Sequence, residues 1–298
     1  MQYVDYIEKE VIRPGQQMEI LKEGDAFLLI DGHFNFGQVV ASEALKMGME
    51  KARQAGTATI FIRNCNHVGR LGSYTQQAAF EKFAAMMVVN GPASGGVAPY
   101  GAIQGRMGTN PITIAAPWGD DAMVLDMTSS ATAEGKVRVA FQKGVPVPEG
   151  QLIDAQGQPT TDPSTYYADP GGAILPLGGN LGFKGYGLSV MIDVFGGMLS
   201  GFGVCRTDLP PGTNGVWMYL VDISAFTDLD AYQGLVAKYI AHIKAAKKQP
   251  GVDEILMPGE IELRRRDQRM ADGVDVPEET WRQICELADR LEVSLEGV

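Results

Sequence analysis

Apolar residues in the first third of the chain change period several times, and each change marks an element. The run Ala26, Phe27, Leu28, Leu29 and Ile30 is continuous and strand-like. It ends at the Asp31-Gly32 turn, and residues 37–53 then carry Val39, Val40, Ala44, Leu45 and Met47 at helical spacing. Residues 57–63 are rich in β-formers, residues 73–83 are rich in Gln and Ala, and Met-Met-Val-Val-Asn at 86–90 predicts a buried strand. The order is strand, turn, helix, strand, with a glycine-punctuated turn at its centre.

Farther along, Gly, Pro, Ala and Ser dominate residues 91–119 around one apolar strand at 112–116, so loop-like backbone close to a ligand is expected there. A second strand at 124–127 runs into Thr128, Ser129 and Ser130 ahead of a helix predicted over 133–143, where N-caps and anion-binding N–H groups belong. Many of the prolines fall in 145–182, which reads as long irregular loops, and an apolar helix is expected over 188–199. A loop through Pro210, Pro211 and Gly212 precedes a strand at 216–223. Amphipathic helices are predicted over 229–247, with a basic C-terminal end, and over 277–291, with proline in the first turn. No internal repeat and no clear interdomain linker is visible.

At 298 residues, with 45% hydrophobic and 20% charged side chains, the chain can bury a substantial core as one large domain or two modest ones. Its formal net charge of -11 argues against nucleic acid as a partner, since phosphate binding needs a basic face. An anionic substrate would need a local positive pocket, for which Arg70, Arg138, Lys143 and Lys184 are candidates. Cys65, Cys205 and Cys285 are widely spaced and odd in number, which fits neither a disulfide scaffold nor a zinc ribbon and points to a reducing cytoplasm. The first eight residues are too acidic for a signal peptide, and no apolar run is long enough to span a bilayer, so a cytoplasmic protein without membrane association is expected.

Chemistry concentrates in Asn64-Cys65-Asn66-His67-Val68-Gly69-Arg70-Leu71-Gly72-Ser73-Tyr74, which holds one of three histidines at the point where a helix is about to begin. An imidazole there can exchange protons near neutral pH, beside N–H groups and a dipole that favour anions. For a lone histidine in such a turn a local cap is the better explanation, and only the surrounding motif reverses that. His33, beside a turn, reads as a surface residue, and His242 as a packing or surface residue within a helix. No His, Cys or Asp spacing suggests a metal, and G-x-G-x-x-G is absent from any convincing context, which disfavours a Rossmann domain. A bound dinucleotide would need another fold, with phosphates on N–H groups near Thr128 to Ser130 or on the Gly69 to Gly72 turn.

Seven segments in order resemble the malate/L-lactate dehydrogenase family of non-Rossmann type, and most closely its hydroxycarboxylate dehydrogenase B-like members. They are Asn66-His67-Val68-Gly69-Arg70-Leu71-Gly72, Gly108-Thr109-Asn110-Pro111, Val124-Leu125-Asp126-Met127-Thr128-Ser129 and Lys143-Gly144-Val145-Pro146-Val147-Pro148. Gly157-Gln158-Pro159-Thr160-Thr161-Asp162-Pro163, Phe183-Lys184-Gly185-Tyr186-Gly187-Leu188 and Met257-Pro258-Gly259-Glu260 follow. The resemblance runs from about Asp31 to the C-terminus. It implies NAD- or NADP-dependent interconversion of 2-hydroxy and 2-oxo acids by a homodimer. It also implies an α/β fold with a mixed, largely antiparallel coenzyme-binding sheet and flanking helices. The domain division it suggests is a discontinuous helical, dimerising unit of 1–75 with 250–298, and a coenzyme-binding unit of 76–249.

By the same resemblance, His67 matches the proton-exchanging histidine, and Gly69, Arg70, Leu71, Leu125, Asp126, Met127, Thr128, Ser129, Lys184, Pro258, Gly259 and Glu260 match positions lining the coenzyme site. Read from the residues alone, Asp126 could orient the imidazole, bond the coenzyme, or cap the next helix. Lys184 could face phosphates from a turn before a helix, or be solvated. Members of the family usually carry an earlier helical segment with a Ser-His-Gly motif and a nearby Arg that serve the coenzyme and the substrate carboxylate. This sequence has no Ser-His-Gly motif with its Arg before Asp31: either it is a shortened member, or it starts at an internal Met, or another residue such as Arg70 supplies the positive charge. Two alternatives stand beside the dehydrogenase: a cyclic imine 2-carboxylate reductase, because a proton donor beside a hydride acceptor serves C=N as well as C=O, and a coenzyme-binding protein without turnover.

Overall fold

A computed structural model describes residues 2–91, 95–205 and 212–295. Residues 92–94 of the glycine-rich loop, and Pro210 and Pro211 of the loop before residue 213, lie outside the described residues. The strands are β1 (Glu19–Gly24), β2 (Phe27–Asp31), β3 (Thr57–Asn66), β4 (Phe83–Asn90), β5 (Pro111–Trp118), β6 (Asp121–Thr128), β7 (Leu152–Ile153), β8 (Pro159–Thr160), β9 (Ala173–Ile174) and β10 (Thr213–Asp222). The helices are α1 (Gln2–Glu8), α2 (Gly37–Ala55), α3 (Gly72–Phe80), α4 (Glu134–Lys143), α5 (Gly182–Ile192), α6 (Leu229–Lys244), α7 (Glu260–Asp272) and α8 (Glu278–Arg290).

One seven-stranded sheet in the order β1-β2-β3-β10-β4-β5-β6 organises these elements. Only β2 and β3 pair in parallel, because α2 supplies the crossover that a parallel pair needs; every other neighbouring pair in this sheet is antiparallel. The mixed, largely antiparallel α/β architecture expected from the sequence is therefore the one observed. β3 alternates buried and half-buried side chains, and Ile60 and Ile62 on its inner face meet Leu28, Ile30, Val40, Leu45, Met87 and Met218 in the main core. On the sheet's other face a smaller cluster forms around Val88, Ile112 and Ile192. The sheet draws β1 to β3 from one side of the sequence division at residue 75 and its other four strands from the far side, and hydrogen-bonds them continuously.

The structure departs from the sequence expectations at several elements. The segment 145–182 is not wholly irregular, since β7, β8 and β9 form a three-stranded sheet around Leu152 and Ile174. The helix expected to start at 188 starts at Gly182 and continues as a π-helical segment, Asp193–Met198. Glycines 182, 185 and 187 lower helix propensity, but tertiary packing overrides it: a Cβ on Gly185 would lie 2.3 Å from the Leu177 carbonyl oxygen, so only glycine lets the helix approach that loop. The segments α1, β1 and α7 had no expected counterpart.

Candidate active site

β3 delivers the chain to His67 through a residue that cannot move freely. Asn66 is buried, pairs with Thr213 of β10, and donates from Nδ2 to the carbonyls of Phe34 at 2.6 Å and Val11 at 3.0 Å. Gly37, the first residue of α2, packs so closely that an added Cβ would stand 2.0 Å from the Asn66 carbonyl oxygen and 2.6 Å from that of His67. On the far side of the turn, Val68 and Leu71 are buried and the Tyr74 hydroxyl donates to the Val68 carbonyl at 2.6 Å. Gly69 takes a φ of +75°, which a glycine adopts without steric cost. His67 thus sits between two fixed points.

The ring of His67 opens onto a cleft of about 570 Å³, whose lining includes Tyr3, Tyr6, Thr109, Arg138 and Tyr166. Its Nδ1 lies 2.7 Å from the Tyr3 hydroxyl of α1, and that hydroxyl accepts a hydrogen bond from Gln38 Nε2 of α2 at 2.8 Å. The side chain is exposed in the cleft, yet the surrounding protein strips enough solvent from the ring to lower its pKa below the usual 6.5. Arg138 is the cation of this cleft, held by Glu134 through Nη2 at 2.9 and 3.0 Å and Nε at 3.2 Å. Burial pulls against its charge, but the hydrogen bonds to Glu134 outweigh that and keep it protonated. Burial also pushes the Tyr166 phenol up to about 12, so it remains a neutral donor. Of the four cations proposed from sequence, Arg138 is the one that lines the cleft of His67.

A second groove, about 540 Å³, lies on the other side of the 67–72 turn and gathers Arg70, Leu125, Asp126, Pro258 and Gly259. Asp126 Oδ2 accepts from the Gly72 backbone N–H at 3.0 Å and stands 3.5 Å from Arg70 Nε. Its carboxylate therefore caps α3, the helix that precedes β6 in sequence, and is directed to Gly72 and Arg70, with no hydrogen bond to the imidazole. Burial raises its pKa, with Gly72 and Arg70 opposing and Glu262 adding to the rise. The Pro258 carbonyl accepts from Val124 N–H at 3.0 Å, and Gly259, at φ +94°, lets the turn lie against that strand. Glu260 faces inward to this turn, accepting from Met257 N–H and from Lys244 Nζ at 2.7 Å.

The remaining sequence candidates fall elsewhere. Gly69 and Leu71 line the His67 cleft. Met127 packs into the apolar cluster with Val88 and Ile112, while Thr128 Oγ1 donates to the Ser130 carbonyl at 3.1 Å. Ser129 is buried, and both its N–H, at 3.1 Å, and its hydroxyl, at 3.2 Å, donate to the Thr109 carbonyl, so its N–H group is not free for a phosphate. Lys184 is exposed in the first turn of α5, not in a turn ahead of it, and lines neither groove. His33 bonds Glu19 at 3.1 Å near the surface. Tyr3, Gln38 and Tyr166 had no sequence signal, because Tyr3 and Tyr166 reach His67 or its cleft, and Gln38 reaches Tyr3, from elements distant along the chain. Among the described residues no cluster of three or more His, Cys, Asp or Glu side chains is placed to hold a metal, and no helix is long and apolar enough to cross a membrane.

Comparison with known proteins matches residues 1–285 to the family model described as malate/L-lactate dehydrogenase. Hydroxycarboxylate dehydrogenase B of Escherichia coli is 36% identical over 277 residues, covering 92% of this chain and 76% of that protein. The solved structure of malate dehydrogenase from Pyrococcus horikoshii superimposes with a TM-score of 0.88 at 30% identity, over 98% of this chain and 82% of the other. Δ1-Piperideine-2-carboxylate reductase from Pseudomonas syringae superimposes with a TM-score of 0.79 at 28% identity, over 96% and 84% of the two chains. Agreement of sequence and backbone over nearly the whole length, with a histidine-bearing turn set between two grooves of a largely antiparallel sheet, makes this chain a member of the malate/L-lactate dehydrogenase family.

Proposed function

We propose that the protein interconverts 2-hydroxy acids and 2-oxo acids with NAD or NADP, and that His67 exchanges the proton. The observation that carries this reading is the pairing of His67 and Arg138 in one cleft, a proton-exchanging group and a cation facing the same space. A 2-oxo acid offers a carboxylate to the guanidinium and its neighbouring carbonyl oxygen to the imidazole. Arg138, in the same cleft as His67, then takes the carboxylate contact for which Arg70 was the sequence candidate. Tyr166, kept neutral, adds a hydroxyl on the same wall.

The second groove fits a nicotinamide coenzyme, because it combines a half-exposed guanidinium, a carboxylate and a glycine turn packed against β6. Arg70, Leu125, Asp126, Pro258 and Gly259 would hold it there, with Gly69 and Leu71 bridging towards His67. Glu260 acts by fixing the Met257 to Gly259 turn. When bound, the nicotinamide supplies the hydride to the carbonyl carbon. This chain's own residues do the rest: Arg138 orients the carboxylate, Val68 and Leu71 exclude water from the turn, and His67 gives its proton to the oxygen that becomes anionic. Met127, Thr128 and Ser129 support the end of β6, and Lys184 remains a peripheral charge.

We further propose that the terminal parts, 1–75 with 250–298, carry the dimer contact, on the ground that Arg290 of α8 pairs with Glu8 of α1 at 2.9 Å and so joins the two ends of the chain. The three unpaired cysteines are consistent with a cytoplasmic protein.

The test is oxidation of NADH and of NADPH with 2-oxo acids bearing neutral, carboxylate and sulfonate tails, and with a cyclic imine 2-carboxylate. Turnover with the 2-oxo acids is expected. Turnover with the imine alone would favour the second reading, which the likeness to the reductase supports. Tight coenzyme binding without turnover on any of them would leave only a binding protein.

A further inference from the structure

The contact between Tyr3, Gln38 and His67 has a direction that follows from hydrogen-bond inventory. A carboxamide NH2 only donates, so Gln38 Nε2, 2.8 Å from the Tyr3 oxygen, makes that oxygen an acceptor. The phenolic proton is then free to point at His67 Nδ1, 2.7 Å away. A neutral imidazole that accepts at Nδ1 carries its proton on Nε2, the nitrogen that the Tyr3 contact does not occupy on a ring that lines the cleft. The opposite amide orientation would reverse every link. It would also leave the buried Gln38 NH2, with two protons, without partners, whereas the observed orientation leaves only the carbonyl oxygen unpaired. Orphaned buried N–H groups are the rarer and costlier of the two.

We infer that Tyr3 and Gln38 are positioning residues for His67, forming a one-way chain of donors that keeps the ring neutral with its proton on Nε2, facing the substrate. The inference rests on the dehydrogenase reading for its purpose, though not for its geometry. A histidine backed by a carboxylate is drawn towards the imidazolium with its proton on Nδ1; a phenol that donates to Nδ1 draws it the other way. In the reductive step the Nε2 proton goes to the substrate oxygen as the carbonyl carbon accepts the hydride. The Tyr3 proton moves to Nδ1 in the same event. The ring stays neutral, the charge passes to the phenolate oxygen under the Gln38 N–H, and solvent returns the proton. Stabilising the neutral ring acts in the same direction as the packing that lowers the His67 pKa.

Nitrogen-15 NMR of the full-length protein reads this directly, because protonated and unprotonated ring nitrogens have well-separated shifts and the chain has only three histidines. His33→Asn and His242→Asn variants assign the other two. Above its pKa, His67 is expected to show a protonated Nε2 and a bare Nδ1. Tyr3→Phe, which keeps the ring and removes the donor, is expected to raise the His67 pKa by roughly half a unit to one unit. Gln38→Glu replaces the donor with a pure acceptor and is expected to reverse the chain, moving the proton to Nδ1. Gln38→Met, nearly the same size, is expected to leave a mixture of tautomers and covers the case in which the glutamate variant does not fold. A wild-type His67 with its proton on Nδ1, or a tautomer and pKa unchanged in Tyr3→Phe, overturns the inference. Since the shifts are read without substrate, a failed dehydrogenase reading and a failed donor chain give different results: no turnover with the expected tautomer in the first case, turnover with the wrong tautomer in the second.

Discussion

Gly37→Ala tests whether the His67 turn is held by close backbone packing. Alanine is ordinarily the better helix residue by up to about 1 kcal/mol, so local propensity favours the change. Here the new Cβ would stand 2.0 Å from the Asn66 oxygen and 2.6 Å from the His67 oxygen, whereas real Cβ atoms essentially never come under 3.0 Å, so about 1 Å of displacement is forced. Neither side yields easily. Asn66 is anchored by its Nδ2 bonds to Val11, Phe34 and Asn35, and α2 by Val40, Ala41, Ala44 and Leu45 in the main core. Overpacking of this kind costs ~1–3 kcal/mol and sometimes more, and the rigidity of both partners places this case at the upper end, with a net loss of about 2–3 kcal/mol after the propensity gain. Urea unfolding of the purified variant measures it. Turnover should fall too, by about 10²-fold, because displacement of a reacting group by about 1 Å has that effect. A variant as stable as wild type, with normal turnover, would show that the α2 approach does not fix the turn.

Further outcomes follow from the same contacts. Asp126→Ala, which leaves the Gly72 N–H without its acceptor, is expected to destabilise by about 1–2 kcal/mol, whereas Asp126→Asn keeps an acceptor and relieves a partly desolvated charge, so its urea midpoint should stay close to wild type. Arg138→Lys keeps the charge but loses the fork that meets Glu134 and a carboxylate together; KM for a 2-oxo acid should rise by about tenfold or more while kcat changes less, and an unchanged KM would remove Arg138 from the substrate site. Packing holds the folded His67 pKa below 6.5, so between that lowered value and 6.5 the unfolded chain binds more protons than the folded one. Stability should therefore fall as pH drops through 6.5, by a modest amount since the side chain is exposed, and His67→Gln should flatten that part of the pH–stability curve; identical slopes for both proteins would contradict the direction of the shift.

Much of the architecture was legible in the sequence where periodicity and burial agree. β3 buries alternate residues and α2 buries one stripe, so strand, turn and helix around His67 follow from hydrophobic spacing, and the turn from its glycines. Legibility failed where burial did not set the pattern. α7 has no buried residue, so its sequence offers no apolar stripe to read, and α5 hides its start behind glycines, of which Gly185 is needed for contact with Leu177. The site was legible in the same uneven way. His67, Gly69, Arg70, Leu71, Asp126 and Gly259 stand in contiguous motifs on the two grooves, but Thr128 and Ser129 turn their hydroxyls to backbone, which composition cannot reveal. Tyr3 reaches His67, 64 residues away in sequence, only through tertiary packing, and Gln38 in turn reaches Tyr3 from 35 residues away.

His67 is proposed to exchange the proton in a nicotinamide-linked reduction of a 2-oxo acid. The most direct measurement is steady-state turnover of wild type and His67→Asn with the best 2-oxo acid of the panel and with NADH or NADPH, after coenzyme affinity of both proteins has been matched by fluorescence titration. The expected result is a fall in kcat of roughly 10²–10⁴-fold with coenzyme affinity kept, the usual loss when a positioned proton donor is removed. Wild-type turnover in the asparagine variant would contradict it.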